Sequence, residues 1–486
     1  MKDHTTVGLE APSAQAETEE NHSASPRSSK LRSVRDSISH WLIRDWQTHK
    51  YLFFSALLLL LTTIITTIYY ANYPQPEPMP DTPAYLYVAY KLHLHPTWLV
   101  DAWRLPGYPL FIDFVYTLNG QNNLMAVSIV QAILFVLATM EIYVLAILVL
   151  KHTWMAFLIG VIVGTNVILI SYIKPIMSEG LALWLVSTLA LAVVYCVRTL
   201  RIHAFWLIVL CLIPLVFTRP EWVYLPVPLF AYLLLVALRR GSVRRVLFNA
   251  LLGLTCIYAL VAVYIGVNTQ RNHYPGLTAI ENFNWLGKVL QYNMQDEVPP
   301  QLAQYGHQLD ILVRETNLSP YVVLRRMPAF SKDDAQPAGN FARTIVLHHP
   351  VEFFVKSLPL FLPSLTHYYD TRSKEPSGPF SGFLASLTSF DRILYRANAF
   401  FLLCVPLWMF LLCWRKVKSH PLVLEMGAIV LLAFYALTIT ILGGYKFEDY
   451  MRVHIVFDAL LIFAVWGSLF LGAQILHRKA LRYLQS

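Results

Sequence analysis

A series of long apolar runs separated by short polar segments constrains the fold of this chain more than any other feature. About 17–25 apolar residues form a helix long enough to cross a bilayer. Hydrophobic residues make up 56% of the 486 residues and charged residues 14%, whereas about a quarter of the residues in soluble proteins are charged. The run 205–238 is too long for one span, and Pro214 with the polar segment 218–221 divides it into two short ones. The predicted spans are 51–70, 124–150, 154–170, 181–197, 205–217, 223–238, 246–267, 399–414, 422–442 and 453–476.

The positions of the basic residues predict how these spans are oriented. Short cytoplasmic connections of membrane proteins carry an excess of Lys and Arg. If the amino terminus is cytoplasmic, every short basic cluster lies on the cytoplasmic side. An undetected pair of helices would leave the basic clusters on the same side, so the number of spans could be two larger. The clusters contain Lys151; Arg198 and Arg201; Arg239, Arg240, Arg244 and Arg245; Arg415, Lys416 and Lys418; and Arg478, Lys479 and Arg482. We therefore predict an all-α polytopic protein of about ten transmembrane helices, with both termini cytoplasmic, in a cell membrane such as the bacterial inner membrane.

Composition divides the chain into five segments. Residues 1–50 are predicted to be a disordered cytoplasmic tail with a basic flank, in which 33–50 is either an amphipathic surface helix or an ordinary flank. Residues 51–267 form a transmembrane core that includes the first external loop, 71–123, with interfacial helices. A larger external loop region, 268–398, contains another interfacial or re-entrant helix. The C-terminal transmembrane helices are 399–476, and 477–486 is a cytoplasmic tail.

Charge and cysteine usage exclude several classes of function. The net charge is +9, but the basic residues lie at the ends of apolar runs rather than in one patch, so nucleic-acid binding is not indicated. The five cysteines all lie inside apolar runs, which argues against a disulfide framework or a zinc site. The chain has no glycine-rich phosphate loop, so a nucleotide-sugar Rossmann domain is not indicated.

The first external loop carries the residues that most specifically indicate chemistry. Asp81 follows the first span after a proline-rich exit, and Arg104 stands just before the turn Pro106-Gly107-Tyr108-Pro109. A carboxylate can accept a proton and a guanidinium can bind phosphate oxygens, so the pair suits chemistry on a phosphate-bearing lipid. Asp81 is also placed to cap the following helix. Asp101 is the rival base, with a solvated loop acid paired with Arg104 as its simpler interpretation.

The ordered set Asp81, Tyr85 and Arg104-x-Pro-Gly-Tyr-Pro resembles the first external loop of the GT-C glycosyltransferases. The similarity is greatest to the branch of protein O-mannosyltransferases and aminoarabinose transferases, in which an acid after the first helix is the proposed catalytic base. The resemblance implies transfer of a sugar from a polyprenyl-phosphate donor to a hydroxyl acceptor on a lipid, glycan or protein, with inversion. It implies that Asp81 is the base and that Tyr85, Arg104 and Tyr108 bind substrate.

Further residues resemble this family at other external helix ends. Lys174 and Glu179 lie in the second external loop, and Arg219 precedes a proline as in relatives. The last external turn keeps Tyr450 and Arg452 but lacks the prolines that follow it in relatives. The resemblance implies that these residues contribute to substrate binding. In the simpler interpretation, Glu179 is a helix-end acid paired with Lys174, and Arg219 reaches the lipid headgroups.

The sequence requires no cofactor, but a divalent metal stays open because some relatives bind one with second-loop acids. The histidine pairs His93-x-His95 and His348-His349 lack carboxylate or cysteine companions at ligand spacing, so we interpret them as interfacial loop residues. His454 and Asp458 are four residues apart on one helix face and are predicted to form a structural pair.

Two other classes of function remain as alternatives. A transporter or lipid flippase would have a similar number of spans, together with matched broken helices and ionisable groups near the membrane centre. Glu141 is the main group of that kind, whereas most non-cytoplasmic charges lie at external helix ends. The third class is a non-catalytic assembly protein of GT-C-like architecture.

Overall fold

The computed structural model describes residues 26–315, 326–327, 330, 336–367, 378–444 and 452–485. The chain divides into two compact units, Met1–Phe53 and Phe54–Ser486, and the site lies within the second. The described residues are helices and connecting segments, with no β-strand among them. This confirms the predicted all-α class.

The helices follow one another with short connections. The first twelve are α1 (Pro26–Asn72), α2 (Thr82–Leu94), α3 (Gly107–Asn119), α4 (Leu124–Leu150), α5 (Thr153–Gly164), α6 (Val167–Ile173), α7 (Glu179–Thr199), α8 (Ile202–Thr218), α9 (Pro226–Arg240), α10 (Val243–Asn272), α11 (Ile280–Gln291) and α12 (Ala303–Glu315). After residue 335 come α13 (Gln336–His348), α14 (Pro350–Ser357), α15 (Phe361–Thr366), α16 (Ser381–Ala397), α17 (Phe401–Cys413), α18 (Pro421–Gly443) and α19 (Asp458–Gln485). Short 3₁₀ turns cover Pro96–Leu99, Pro220–Tyr224, Pro300–Leu302, Leu358–Leu360, Asn398–Phe400 and Ile455–Phe457.

Each of the ten predicted spans coincides with an apolar helical element. Eight helical runs in the described part of the chain are long and apolar enough to cross a membrane. The predicted span 154–170 is the pair α5 and α6, bent by 51°, and the span 205–217 is the 17-residue helix α8. The predicted span 399–414 is the second half of a longer run, Ser381–Cys413. The chain is thus an integral multi-pass membrane protein.

The helices of the large connection between α10 and α16 include a sharp bend. α13 and the pair α14–α15 are inclined by 94°, and Pro350 begins α14. Proline lacks an N–H and its ring clashes with the preceding turn, so a helix does not continue through it unbroken. Leu347 and Val351 on either side of the bend are 77% and 74% exposed. This geometry fits the predicted interfacial or re-entrant element better than a straight span.

The first helix begins earlier than the sequence suggested. α1 starts at Pro26, so residues 26–30, which were expected to be disordered, are helical, and 33–50 is helical as in one of the two alternatives given for it. Pro26 suits the first turn of a helix, and neither Pro nor Gly occurs between it and the apolar run. Residues 1–25 lie outside the described part.

The most buried transmembrane helix delivers a predicted site residue. In α7, 78% of the apolar 18-residue stretch is buried inside the protein, compared with 33% of the corresponding stretch in α10. α7 packs against α4, α8 and α18, and its first residue is Glu179. Glu179 therefore extends from the centre of the helix bundle.

The predicted orientation can be tested by cysteine labelling, because suitable residues are exposed in the relevant connections. Gln121 and Gln301 lie in segments expected outside, and Ser419 lies in one expected to be cytoplasmic. In a background without native cysteines, a membrane-impermeant maleimide added to intact cells should label Gln121→Cys and Gln301→Cys but not Ser419→Cys. Labelling of all three after permeabilisation is the control. Labelling of Ser419→Cys alone in intact cells would show that the orientation is the reverse of the predicted one.

Candidate active site

Asp81 lies between two arginines that come from distant parts of the sequence. Its Oδ1 accepts a hydrogen bond from the Arg104 guanidinium at 2.6 Å, and its Oδ2 accepts one from Arg452 at 2.8 Å. Each carboxylate oxygen therefore has its own guanidinium, and charge-assisted hydrogen bonds of this kind are strong.

The pairing continues beyond Asp81 as a row of alternating charges. Arg452 Nε lies 3.3 Å from Glu179 Oε1, and Arg219 lies 3.1 Å from the same oxygen. Arg219 also donates through Nε to Glu221 at 2.5 Å. We call this row the charged chain. Its members are Arg104, Asp81, Arg452, Glu179, Arg219 and Glu221.

The charged chain has a buried half and an open half. The side chains of Glu179 and Arg219 are 2% and 7% exposed, whereas those of Asp81 and Arg452 are 25% and 33% exposed. A ligand can therefore approach Asp81 and Arg452 directly. Arg219, predicted to bind a phosphate, is enclosed between two carboxylates, and its contacts fit a role in holding Glu179 and Glu221.

Among the buried atoms of the charged chain that make no hydrogen bond within the described ranges, two also take part in none of the ion-pair contacts above. They are Nε of Arg104, which is a donor, and Oε2 of Glu179, which is an acceptor. Buried polar groups are usually paired, so unpaired ones call for an explanation such as ligand binding. A ligand with both acceptor oxygens and hydroxyl groups would match these two atoms.

The proline-rich exit from α1 is attached to the second external connection, and this attachment positions Asp81. Thr82 Oγ1 donates to the Ile176 carbonyl oxygen at 2.9 Å, and the Ile176 N–H donates to the backbone carbonyl oxygen of Glu77 at 3.2 Å. Lys174 donates to the carbonyl oxygen of Gln75 and lies 4.0 Å from the Glu77 carboxylate. Lys174, predicted to bind substrate, is thus 2% exposed and holds the exit segment instead of extending the charged chain.

The turn that carries Arg104 is organised by Asp101. The Asp101 carboxylate accepts hydrogen bonds from the backbone N–H groups of Trp103 at 2.8 Å and Arg104 at 2.9 Å. Such a turn is a common structural use of aspartate. These contacts identify Asp101 as a residue that shapes the turn, and its carboxylate contacts the backbone of Arg104 rather than the guanidinium.

Gly107 brings the same turn close to the end of α8. A Cβ at this position would collide with Thr218 Oγ1 and lie 2.7 Å from the Phe217 carbonyl oxygen. Only glycine permits this approach. Because Arg219 follows directly, the contact places the Arg104 turn beside the buried half of the charged chain.

Tyr85 and Tyr108 form the aromatic wall beside Arg104. The Arg104 guanidinium lies 4.6 Å from the centre of the Tyr85 ring, a cation–π contact that restricts its orientation. The Tyr108 ring packs edge-on against Tyr85 at 4.9 Å, and its hydroxyl donates to Gln131 at 2.6 Å. Tyr108 is fully buried, so it supports Tyr85 and does not itself reach a ligand.

Two structural interpretations of the acids do not hold. Asp81 occupies the residue before α2, but its side chain makes no capping hydrogen bond, because both oxygens bind arginines. Glu179 pairs with Arg219 and Arg452, and Lys174 pairs elsewhere. The charges near helix ends were visible in the sequence, but their partners were not.

The arginines determine the protonation of Asp81. Burial raises the pKa of the Asp81 carboxyl, but the charges of Arg452 and Arg104 lower it by more, and the result is a pKa below the ordinary aspartate value. Burial lowers the pKa of Arg104, whereas Tyr85 and Asp81 raise it by more. At neutral pH the site therefore holds an ionised carboxylate between two charged guanidiniums.

Each carboxylate of the charged chain pairs with at least one arginine, whose positive charge disfavours a divalent metal there. Another group has metal-ligand types within reach: the ligand atoms of Glu297, His349 and Glu352 lie within 4.8 Å of one another. His349 thus has two carboxylate neighbours, so the expectation that it lacks carboxylate companions is wrong: Glu297 is distant in sequence, but Glu352, three residues after His349, was visible there. Lys356 lies 2.7 Å from Glu352 and 3.4 Å from Glu297, so one ammonium already compensates part of the negative charge of this cluster.

The remaining predictions are met to different degrees. Glu221 was missed, although its place two residues after Arg219 was a usable signal. Tyr450 lies outside the described residues. His93 contacts Asp113 at 2.9 Å, and His454 contacts Asp458 at 2.6 Å as predicted.

Comparisons with known proteins identify a distant structural neighbour. No protein-family profile matches the chain, and no curated protein is similar to it. Among solved structures, the chain is similar to ArnT from Cupriavidus metallidurans bound to undecaprenyl phosphate. The similarity covers 86% of this chain and 79% of that chain, with 12% identity and a TM-score of 0.36.

Proposed function

We propose that this chain is a membrane glycosyltransferase that moves a sugar from a polyprenyl-phosphate donor to a hydroxyl acceptor. The observation that carries the proposal is the arrangement of Asp81 between Arg104 and Arg452. A potential proton acceptor and two phosphate-binding groups share one partly open site, which is what this reaction needs.

In the proposed reaction, the acceptor hydroxyl gives its proton to the Asp81 carboxylate and its oxygen attacks the anomeric carbon of the donor. The bond between that carbon and the phosphate oxygen breaks, and the electron pair leaves with the polyprenyl phosphate. Arg104 and Arg452 stabilise the charge that develops on the leaving phosphate. The product is a glycosylated acceptor, with inversion at the anomeric carbon.

Donor binding would also prepare the base. In the free protein, both arginines bind Asp81 and hold its pKa low, which makes it a weak base. A donor phosphate offers the arginines a second anion, and each guanidinium that turns towards it weakens its hold on Asp81. The pKa of Asp81 then rises, so the base becomes stronger when the donor is present.

The location of the site favours a lipid-borne donor. Asp81, Arg104, Arg219 and Arg452 all lie next to the ends of candidate membrane-spanning helices or in the connections between them. A polyprenyl tail would remain among the apolar helices while its phosphate lies at this level. A transporter would instead use such groups near the middle of the membrane.

The assay supplies purified protein in liposomes with a panel of polyprenyl-phosphate sugars and measures release of free polyprenyl phosphate. We expect one donor class to be consumed in the presence of a suitable hydroxyl acceptor. If no donor is consumed and the liposomes show movement of a lipid or solute across the bilayer, the transporter alternative is correct.

Arg104→Lys is expected to weaken donor use about tenfold or more, because lysine keeps the charge but loses the planar fork that binds a phosphate through two hydrogen bonds. The effect should appear mainly as a higher KM for the donor. Arg198→Lys is the matched control, since Arg198 also pairs with a carboxylate, Glu425 at 2.7 Å, but lies at the opposite end of α7 from Glu179. If the two variants have equal kinetics, Arg104 does not contribute to donor binding.

A further inference from the structure

Helix α16 carries two buried polar side chains that belong to none of the motifs above. Asp391 and Tyr395 are four residues apart, so they lie on the same face of the helix. They are 2% and 1% exposed. Burying a polar group is costly without a partner, and each of them has one on a different neighbouring element.

Asp391 holds the segment that leads to Glu179. Its Oδ2 accepts a hydrogen bond from the backbone N–H of Val167 at 2.8 Å, at the start of α6. The first N–H groups of a helix have no partner within the helix, and this side-chain oxygen satisfies one of them. α6 runs directly into the connection that ends at Glu179, the first residue of α7.

Tyr395 holds the segment that begins with Arg452. Its hydroxyl donates to Asp458 Oδ2 at 2.5 Å, and Asp458 Oδ1 lies 2.6 Å from His454 Nδ1. His454 and Asp458 are both fully buried. His454 comes two residues after Arg452, so this network fixes the backbone from which the arginine extends.

We propose that α16 positions Glu179 relative to Arg452 through Asp391 and Tyr395, and thereby holds Arg452 against Asp81. The two residues touch neither Asp81 nor a substrate in this scheme, so they are positioning residues. The catalytic consequence rests on the proposed function, whereas the structural consequence does not.

The scheme predicts a specific change in pH dependence. In the part of the chain that the structure describes, the charged groups that face Asp81 are Arg104 and Arg452, and Glu179 lies beyond Arg452. If Arg452 is displaced, Asp81 keeps only Arg104 and its pKa rises. Because the ionised form is the base, the acid limb of the pH profile of kcat/KM would then move to higher pH.

Tyr395→Phe tests the scheme because it removes only the hydroxyl. We expect kcat/KM for the donor to fall about tenfold, the acid limb to move to higher pH, and amide hydrogen exchange to become faster in the 3₁₀ turn Ile455–Phe457. Tyr232→Phe is the matched control, since the buried Tyr232 hydroxyl donates to the Leu424 carbonyl oxygen at 2.6 Å elsewhere in the bundle. The control should leave both the acid limb and this exchange unchanged.

Asp391→Asn provides an independent second variant, with Glu425→Gln as its control. We expect faster exchange across α6 and the same direction of change in the acid limb. The proposal is rejected if hydrogen exchange in both positioning variants equals that of the controls. If exchange is faster but the acid limb does not shift, the link to Arg452 is rejected. A wild-type protein that consumes no donor would contradict the proposed function, and hydrogen exchange alone would then decide whether α16 holds the two segments.

Discussion

Replacing Asp81 by asparagine is expected to lower glycosyl transfer about 100- to 10,000-fold, the usual contribution of a general base. Asparagine keeps the size and polarity of the side chain, but its amide cannot accept the acceptor's proton at neutral pH. Donor binding should be largely retained, because Arg104 and Arg452 remain and lose the anion that competes with phosphate. The measurement is release of polyprenyl phosphate under single-turnover conditions, together with a binding assay for the donor.

The pH profile of the wild-type protein gives a second test of the same assignment. A carboxyl whose pKa is lowered in the free protein stays ionised until the pH falls below the ordinary aspartate range. The acid limb of the kcat/KM profile should therefore lie below that range. The acid limb of the kcat profile should lie at higher pH than that of kcat/KM, because the bound donor engages the arginines.

Asp113→Asn is the control for Asp81→Asn, because Asp113 lies in the same loop and pairs with His93. It should retain transfer close to that of the wild type. Near-normal turnover by Asp81→Asn would instead show that another acid is the base, and Glu179 would be the next to test.

Glu179→Gln is expected to destabilise the protein by about 3–5 kcal/mol, the usual cost of removing one partner from a buried ion pair. The Glu179 side chain is 2% exposed, and its Oε1 lies within 3.3 Å of both Arg219 and Arg452. Glutamine would leave two guanidiniums facing each other with less compensation. Thermal unfolding of the purified protein in detergent measures the loss, and transfer should fall as well because Arg452 is displaced.

Two further variants separate this effect from a general loss of charge. Glu221→Gln also removes a carboxylate from Arg219. Glu221 is 20% exposed and, among the described residues, forms an ion pair only with Arg219, so the loss should be clearly smaller. In Glu179→Gln/Arg219→Gln the uncompensated charge is reduced, and part of the stability should return. Equal stability of the Glu179 and Glu221 single variants would show that the buried half of the charged chain is not held by Glu179.

Local sequence was sufficient to predict the transmembrane helices. Within a bilayer, a segment must satisfy its backbone hydrogen bonds internally, so an apolar run of sufficient length becomes a helix wherever it occurs. The predicted span 124–150 has the same bounds as α4, and the helices after Asp81 and Pro106 were expected from the spacing of apolar residues and prolines. The start of α1 was missed because a polar helix has no apolar signal.

The sequence also placed five members of the charged chain among its candidates, since charged residues at the ends of apolar helices are conspicuous. Their pairing was decided by tertiary structure. Arg452 meets Asp81 across 371 residues of chain, and Lys174, closer to Glu179 in sequence than either arginine, binds the exit segment instead. An ion pair depends on which helix ends come within a few ångströms of each other, and that follows from how the helices pack. For the same reason, Asp391 and Tyr395 could not be recognised from the sequence, in which each is only one polar residue of an amphipathic helix. The contacts on which their proposed role depends exist only because α16 packs against α6 and the start of the final helix.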